Sequence, residues 1–277
     1  MATKSQVIAI FSTKGGVGKT LIATNLAATL HTHANSKTAI LEVGSPTRDA
    51  PAMLGSVQIP CPAEEVTRES LPALVTQLRN DFTFVLLDLA AAFTELTLTA
   101  LEHSNLILLV TTPDLISIRH TNQAIEFLET LKFPLGMLRV VVNRAESRGN
   151  LRTGDVHTQF PVVVIGDLPS DGRLAGLSIN RGIPLVVSEE GSRLKDALKR
   201  LGKYLVDNPE MFLDHFTVDT SKLPTGSSAL QWVSIKPSAS GDGAEPAAAV
   251  KTDDPVGTLK RRIHSRLIER FDLKRLD

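Results

Sequence analysis

Val7-Ile8-Ala9-Ile10-Phe11-Ser12-Thr13-Lys14-Gly15-Gly16-Val17-Gly18-Lys19-Thr20 is the stretch that decides the fold. An apolar, β-type run leads into a glycine loop. Behind the loop, Leu21, Ile22, Ala23, Leu26, Ala27 and Leu30 recur at helical spacing. A strand, a Gly-rich loop ending in Lys-Thr and a helix together form a phosphate-binding loop. Gly15, Gly16 and Gly18 lack Cβ atoms, so consecutive backbone N–H groups can turn toward phosphate oxygens. The N-terminus of the following helix adds partial positive charge. Lys19 can reach the outer phosphates, and the Thr20 hydroxyl can ligate Mg²⁺. The generic pattern asks for glycine where Thr13 stands, so this loop is a variant, and it carries a second lysine, Lys14.

The whole chain bounds the alternatives. Its 277 residues allow one large domain with appendages. Thirty basic and thirty acidic residues balance, so no global field favours nucleic acid or acidic lipid. A single cysteine, Cys61, excludes a disulfide framework and cysteine-rich metal or iron–sulfur sites within one chain. The N-terminus runs straight into a strand, and no apolar run approaches membrane-span length, so a cytoplasmic protein is expected.

Apolar strands alternate with helical patterns up to about Asp207. Strands are predicted at 38–43, 82–88, 105–111, 138–143 and 162–165. Helices are predicted at 70–79, 95–102, 117–131, 172–179 and 192–205. Strands that are Val/Ile/Leu-rich on both faces indicate a mainly parallel sheet flanked by helices on both sides, an α/β P-loop architecture. Ligands of such sheets sit at the strands' carboxyl ends. The domain is therefore assigned to 1–208. Residues 209–255, rich in Pro, Ser, Gly and Ala after Pro237, read as a flexible linker. Residues 256–277 read as a basic amphipathic helix, with Leu259, Ile263, Leu267 and Phe271 on one stripe.

A second site element is Phe84-Val85-Leu86-Leu87-Asp88. A carboxylate at the end of an apolar strand can hold the Mg²⁺ water shell beside Thr20. Asn143 closes the run Leu138–Val142, and its amide offers a donor and an acceptor together.

Lys14-Gly15-Gly16-Val17-Gly18-Lys19-Thr20 resembles the deviant Walker A loop of the MinD/ParA-type ATPases. The resemblance covers about residues 5–207. It implies ATP and Mg²⁺ as cofactors, with Thr20 and Asp88 at the metal. Gly15, Gly16, Val17, Gly18, Lys19, Thr20, Leu21, Asn143 and Arg144 would hold nucleotide, Asn143 meeting adenine. Lys14 and Lys19 would be the catalytic lysines, Lys14 acting across an ATP-dependent homodimer. Members usually carry Asp-x-Asp after the second strand, where Glu42 and Gly44 stand here. Glycine has no carboxylate to orient water, so weak or absent hydrolysis is expected, with nucleotide acting chiefly as a conformational ligand; the alternative is that Asp49 or Glu42 substitutes from a shifted loop.

Within the family, four segments look most like the TadZ/CpaE branch, associated with assembly of Tad (Flp) pili: Leu41–Leu54 with its Arg48-Asp49, Asp88-Leu89 followed by Thr99–Glu102, Val110–Arg119, and Asn143-Arg144 together with Leu168–Asp171 and Asn180–Pro184. The tail from Leu259 resembles the N-terminal segment of the Tad/CpaF secretion ATPases. That implies docking on the pilus secretion ATPase or other assembly proteins; a basic amphipathic helix can also lie on an acidic membrane surface, giving peripheral placement at the inner membrane or cell pole, or pack on its own domain. A DNA-partitioning or division-site positioning ATPase is the alternative. DNA is the less favoured partner, because the basic helix at 192–205 reads as a solvated face.

Overall fold

The computed structural model describes residues 4–33, 36–45, 47–55, 57–62, 65–146, 151–214 and 216–218. The predicted tail helix at 256–277, and most of the predicted linker, lie outside them.

Six strands form one sheet: β1 (Gln6–Phe11), β2 (Thr38–Val43), β3 (Phe84–Leu89), β4 (Leu106–Thr111), β5 (Leu138–Ala145) and β6 (Val164–Pro169). Their order is β2-β3-β1-β4-β5-β6, and every pairing is parallel. The helices are α1 (Lys19–His33), α2 (Asp49–Leu54), α3 (Leu71–Asp81), α4 (Glu95–Glu102), α5 (Leu115–Thr130), α6 (Thr153–His157), α7 (Gly172–Arg181) and α8 (Arg193–Asp207).

Strand period explains the two-sided core. Val7, Ala9 and Phe11 point to one face and join residues of α3, α4 and α5. Ile8 and Ile10 point to the other and join α1, α7 and α8. Both faces of β1 are fully buried, as a helix-covered parallel sheet requires.

The chain builds outward from β1 in both directions, β3 on one side and β4 on the other. The crevice at that reversal is where ligands of such sheets bind. Register fixes what meets there: Ile10 pairs with Asp88, and Asp88 pairs with Glu42. The loop after β1 therefore opens beside two carboxylates on successive neighbouring strands.

Past α8 the chain remains on the core. Met211 and Phe212 are buried, and Asn105 exchanges backbone hydrogen bonds with Val7 and Leu213 while its side-chain amide also donates to the Leu213 carbonyl. The sequence reading begins the linker at 209. Apolar burial and this buried amide keep 209–213 attached to the sheet instead.

Candidate functional site

The loop from Ser12 to Gly18 joins β1 to α1. Gly16 and Gly18 carry φ values of 73° and 94°, in the left-handed region. At Gly18 the constraint is twofold, because a Cβ there would stand 2.4 Å from the Asn143 amide nitrogen. Gly18→Ala is therefore expected to displace Asn143 or the loop. Its melting temperature should fall by about 2–8 °C with a parallel loss of nucleotide affinity, measured by thermal unfolding and titration.

Lys19 begins α1, whose first turn holds no acidic residue, so the helix's positive end is left for an external anion. Burial lowers the Lys19 pKa, and the Asp88 carboxylate opposes that shift. Thr20 Oγ1 donates to Asp88 Oδ2 at 2.6 Å. Burial pushes the Asp88 carboxyl up to about 6, with Thr20 and Lys19 pulling it down and Glu42 and Asp49 adding to the rise. Asp88 Oδ1 is buried with no hydrogen-bond partner. A desolvated, unsatisfied carboxylate oxygen beside a threonine hydroxyl is a donor set that fits a hydrated Mg²⁺. Thr20 and Asp88 would hold the ion, and bound Mg²⁺ would neutralise charge on phosphate oxygens.

Asn143 lies buried at the end of β5. Its Nδ2 donates to the Val17 carbonyl at 2.7 Å, and its Oδ1 accepts the Arg144 N–H at 2.9 Å. Arg144 in turn donates to the Gly16 carbonyl at 3.0 Å. These two predicted nucleotide residues thus brace the phosphate loop from behind. Beyond them a cleft of about 340 Å³ opens at the ends of β5 and β6, bordered by Ala145, Pro169, Ser170, Asp171, Ser192 and Arg193. Asp171 and Ser192 are the N-caps of α7 and α8, so two helix N-termini flank it. The sequence reading did not assign this cleft; the short polar residues Asp171 and Ser192, each one position before a helix, were the available signal.

Glu42, paired with Asp88 on the neighbouring strand, also holds the start of α2. Its Oε1 accepts the N–H groups of Asp49 and Ala50 at 2.9 and 3.1 Å, holding the N-terminus of α2. Its Oε2 is buried and unpartnered. Burial raises its pKa, against the two backbone hydrogen bonds. Gly44 has φ 75°, and a Cβ there would lie 3.3 Å from the Ala90 Cβ. The turn is thus built around glycine. Gly44→Asp is expected to cost about 1–2 kcal/mol of stability, read as a lowered melting temperature.

Lys14 points away from its own loop. Its Nζ lies 3.1 Å from each Asp114 oxygen and 2.6 Å from Ser117 Oγ. Asp114 caps α5 and also accepts from Thr112 and Ser117. Burial would raise its pKa, but these hydrogen bonds and Lys14 hold the carboxyl well below the usual range. The sequence reading did not identify Asp114 as the partner of Lys14. Leu115 and Ile116, beside that contact, are 72% and 63% exposed.

On α8, Arg193 pairs with Glu146, Lys203 with Asp207, and Lys195 donates to the Ser188 carbonyl. Three of this helix's five cations (Arg193, Lys195, Lys199, Arg200 and Lys203) are thus engaged by neighbouring groups. Cys61, whose thiol is pushed up by burial and by Glu42, is no activated nucleophile.

The signature of the CobQ/CobB/MinD/ParA nucleotide-binding domain matches residues 8–185, and the chain belongs to that family. The septum site-determining protein MinD of Synechocystis sp. is 25% identical over 259 residues, covering 79% of this chain and 96% of the relative. A MinD of Emiliania huxleyi, described as a septum site-determining protein, is 28% identical over 173 residues, 61% of each chain. Among solved structures, MinD in the MinC:MinD cell division complex of Aquifex aeolicus has a TM-score of 0.64 at 22% identity, covering 73% of this chain and 96% of that one. A ParA family ATPase from Chlorobium tepidum has a TM-score of 0.65 at 19% identity, covering 74% and 100%. The MinD of Pyrococcus horikoshii, solved with Mg-ADP, has a TM-score of 0.63 at 20% identity, covering 74% and 97%. The predicted fold class is thereby established. Among the described residues no helix is long and apolar enough to cross a membrane.

Proposed function

We propose that this chain is an ATP-binding, weakly or non-hydrolysing ATPase that dimerises around nucleotide and acts as a positioning switch. The observation that carries the reading is the cradle itself. Lys19 and Thr20 stand at an acid-free helix N-terminus against a buried Asp88 carrying an unsatisfied oxygen. Triphosphate oxygens would take the loop N–H groups and Lys19, and Mg²⁺ would take Thr20 and Asp88. The base would extend past Asn143 toward the cleft between the α7 and α8 N-termini. Gly44 leaves water without a carboxylate at its position, which supports slow turnover.

Lys14 is the residue proposed to reach a partner's nucleotide, once released from Asp114. Sizing the chain with ATP, ADP and no nucleotide tests the switch. A dimer is expected with ATP alone, and an unchanged monomer in all three states defeats the reading. Lys14→Ala should bind ATP within about threefold of the parent, because a partly exposed ion pair contributes little, yet should fail to dimerise.

For its cellular role, the segments shared with the TadZ/CpaE branch support placement of Tad pilus machinery, with the 256–277 tail docking on the secretion ATPase. The division-site reading has its own support in the names of the relatives above. Truncation at Pro255 separates them in part: under the pilus reading it abolishes recruitment to the assembly site and leaves ATP binding intact.

A further inference from the structure

Two buried carboxylate oxygens lack partners at one place in the fold. Asp88 Oδ1 and Glu42 Oε2 are both desolvated and unsatisfied, on residues that pair directly across adjacent parallel strands. Paired residues of neighbouring strands project to the same face, so the two side chains share one environment. Unpaired anionic oxygens at one spot are costly unless something cationic fills it. Glu42's other oxygen is already committed to the N–H groups of Asp49 and Ala50, the first two residues of α2. One side chain therefore touches the metal crevice with one oxygen and holds a helix start with the other. The turn between β2 and α2 is also short and passes through the left-handed Gly44.

We propose that Glu42 is a positioning residue that couples filling of the metal site at Asp88 to the placement of α2. The inference rests on the Mg²⁺–nucleotide reading of the site. With a hydrated cation held by Thr20 and Asp88, Glu42 Oε2 would have a hydrogen-bond donor to accept from, and Glu42 would hold one orientation while its Oε1 keeps the α2 N-terminus. Without the cation, repulsion from Asp88 works against the same orientation. The glutamate's length matters, since one side chain has to span both places.

The test uses the full chain with ADP, titrated with Mg²⁺, beside Glu42→Gln. Glutamine keeps an oxygen for Asp49 and Ala50 and replaces the free oxygen by an amide that can donate toward Asp88 Oδ1. Three results are expected. Mg²⁺ slows hydrogen exchange at 47–55 in the parent and leaves it unchanged in the variant. Apparent Mg²⁺ affinity falls about tenfold in the variant, as for a lost outer-shell partner. Without Mg²⁺, the variant melts about 2 °C above the parent, because a repulsive pair becomes a hydrogen-bonded one. Exchange in the parent that ignores Mg²⁺, an unchanged Mg²⁺ affinity in the variant, or a metal-free melt no higher than the parent's each overturns the proposal. The metal-free melt also separates coupling from a purely structural cap, which would gain nothing from glutamine. Failure of the parent to bind ADP would instead strike the nucleotide reading itself.

Discussion

Lys19→Ala should lower affinity for ATP by at least about 100-fold while leaving the fold intact. Lys19 is largely buried, and its ammonium carries a desolvation penalty that the Asp88 charge offsets only in part. Such a lysine is poised to bond anionic oxygens, and each charge-assisted bond contributes about 1.5–3 kcal/mol. Two bonds to phosphate would amount to about 3–6 kcal/mol, or 10² to 10⁴ in affinity. Alanine is the strongest helix former and sits well at a helix start, so α1 should not fray. Titration with a fluorescent ATP analogue, with circular dichroism as the folding control, checks both halves. A folded variant that binds within tenfold of the parent would show that the loop amides and helix end suffice.

Much of this site was legible because its parts are local. The loop, its strand and its helix are contiguous, and Asp88 ends an apolar run that can only be a buried strand. The α7 cap at Asp171 also stands one residue before its predicted helix, where a short polar side chain belongs, whereas α5 starts at Leu115 behind its Asp114 cap and not at the expected 117. What sequence reading missed depends on contacts between distant segments. Lys14 and Asp114 are a hundred residues apart, joined only because β1 and β4 are neighbours. Asn143 was read as a base contact, but its amide also braces the Val17 carbonyl across 126 residues.

The last strand shifted as well, from the expected 162–165 to Val164–Pro169. Gly166 and Asp167 read as breakers, whereas Gly166 allows the Leu201 side chain of α8 to pack closely over the strand. Helix α2 was passed over because Pro51 and a six-residue length give weak periodicity. Its start is held by Glu42 from another strand, which no local pattern announces.

Asp88→Asn is expected to make the metal-free protein more stable at neutral pH and to remove its response to Mg²⁺. The Asp88 carboxyl is pushed up to about 6 in the folded chain, chiefly by burial, against about 4 when unfolded. Between those values the folded chain holds the extra proton, so folding stability falls as pH rises from about 4 through about 6. Two pH units of displacement correspond to about 3 kcal/mol lost at pH 8 relative to the protonated form. Asparagine is neutral throughout and can still accept the Thr20 hydroxyl proton. Its amide protons must find an acceptor, and Glu42 Oε2 is the unpartnered oxygen on the paired residue. The expected net gain at pH 8 is therefore about 1–2 kcal/mol, shrinking toward zero below pH 4. Thermal melts in chelator at pH 4 and pH 8 read the stability arm, and Mg²⁺ titration of the ADP complex reads the other. In the parent, Mg²⁺–nucleotide should more than restore the lost stability, because a ligand that binds only the folded state stabilises it by mass action. The opposite signs of the two effects are the diagnostic. A carboxylate retained for folding should destabilise on neutralisation, whereas one retained for a cation should stabilise the empty protein and disable the loaded one.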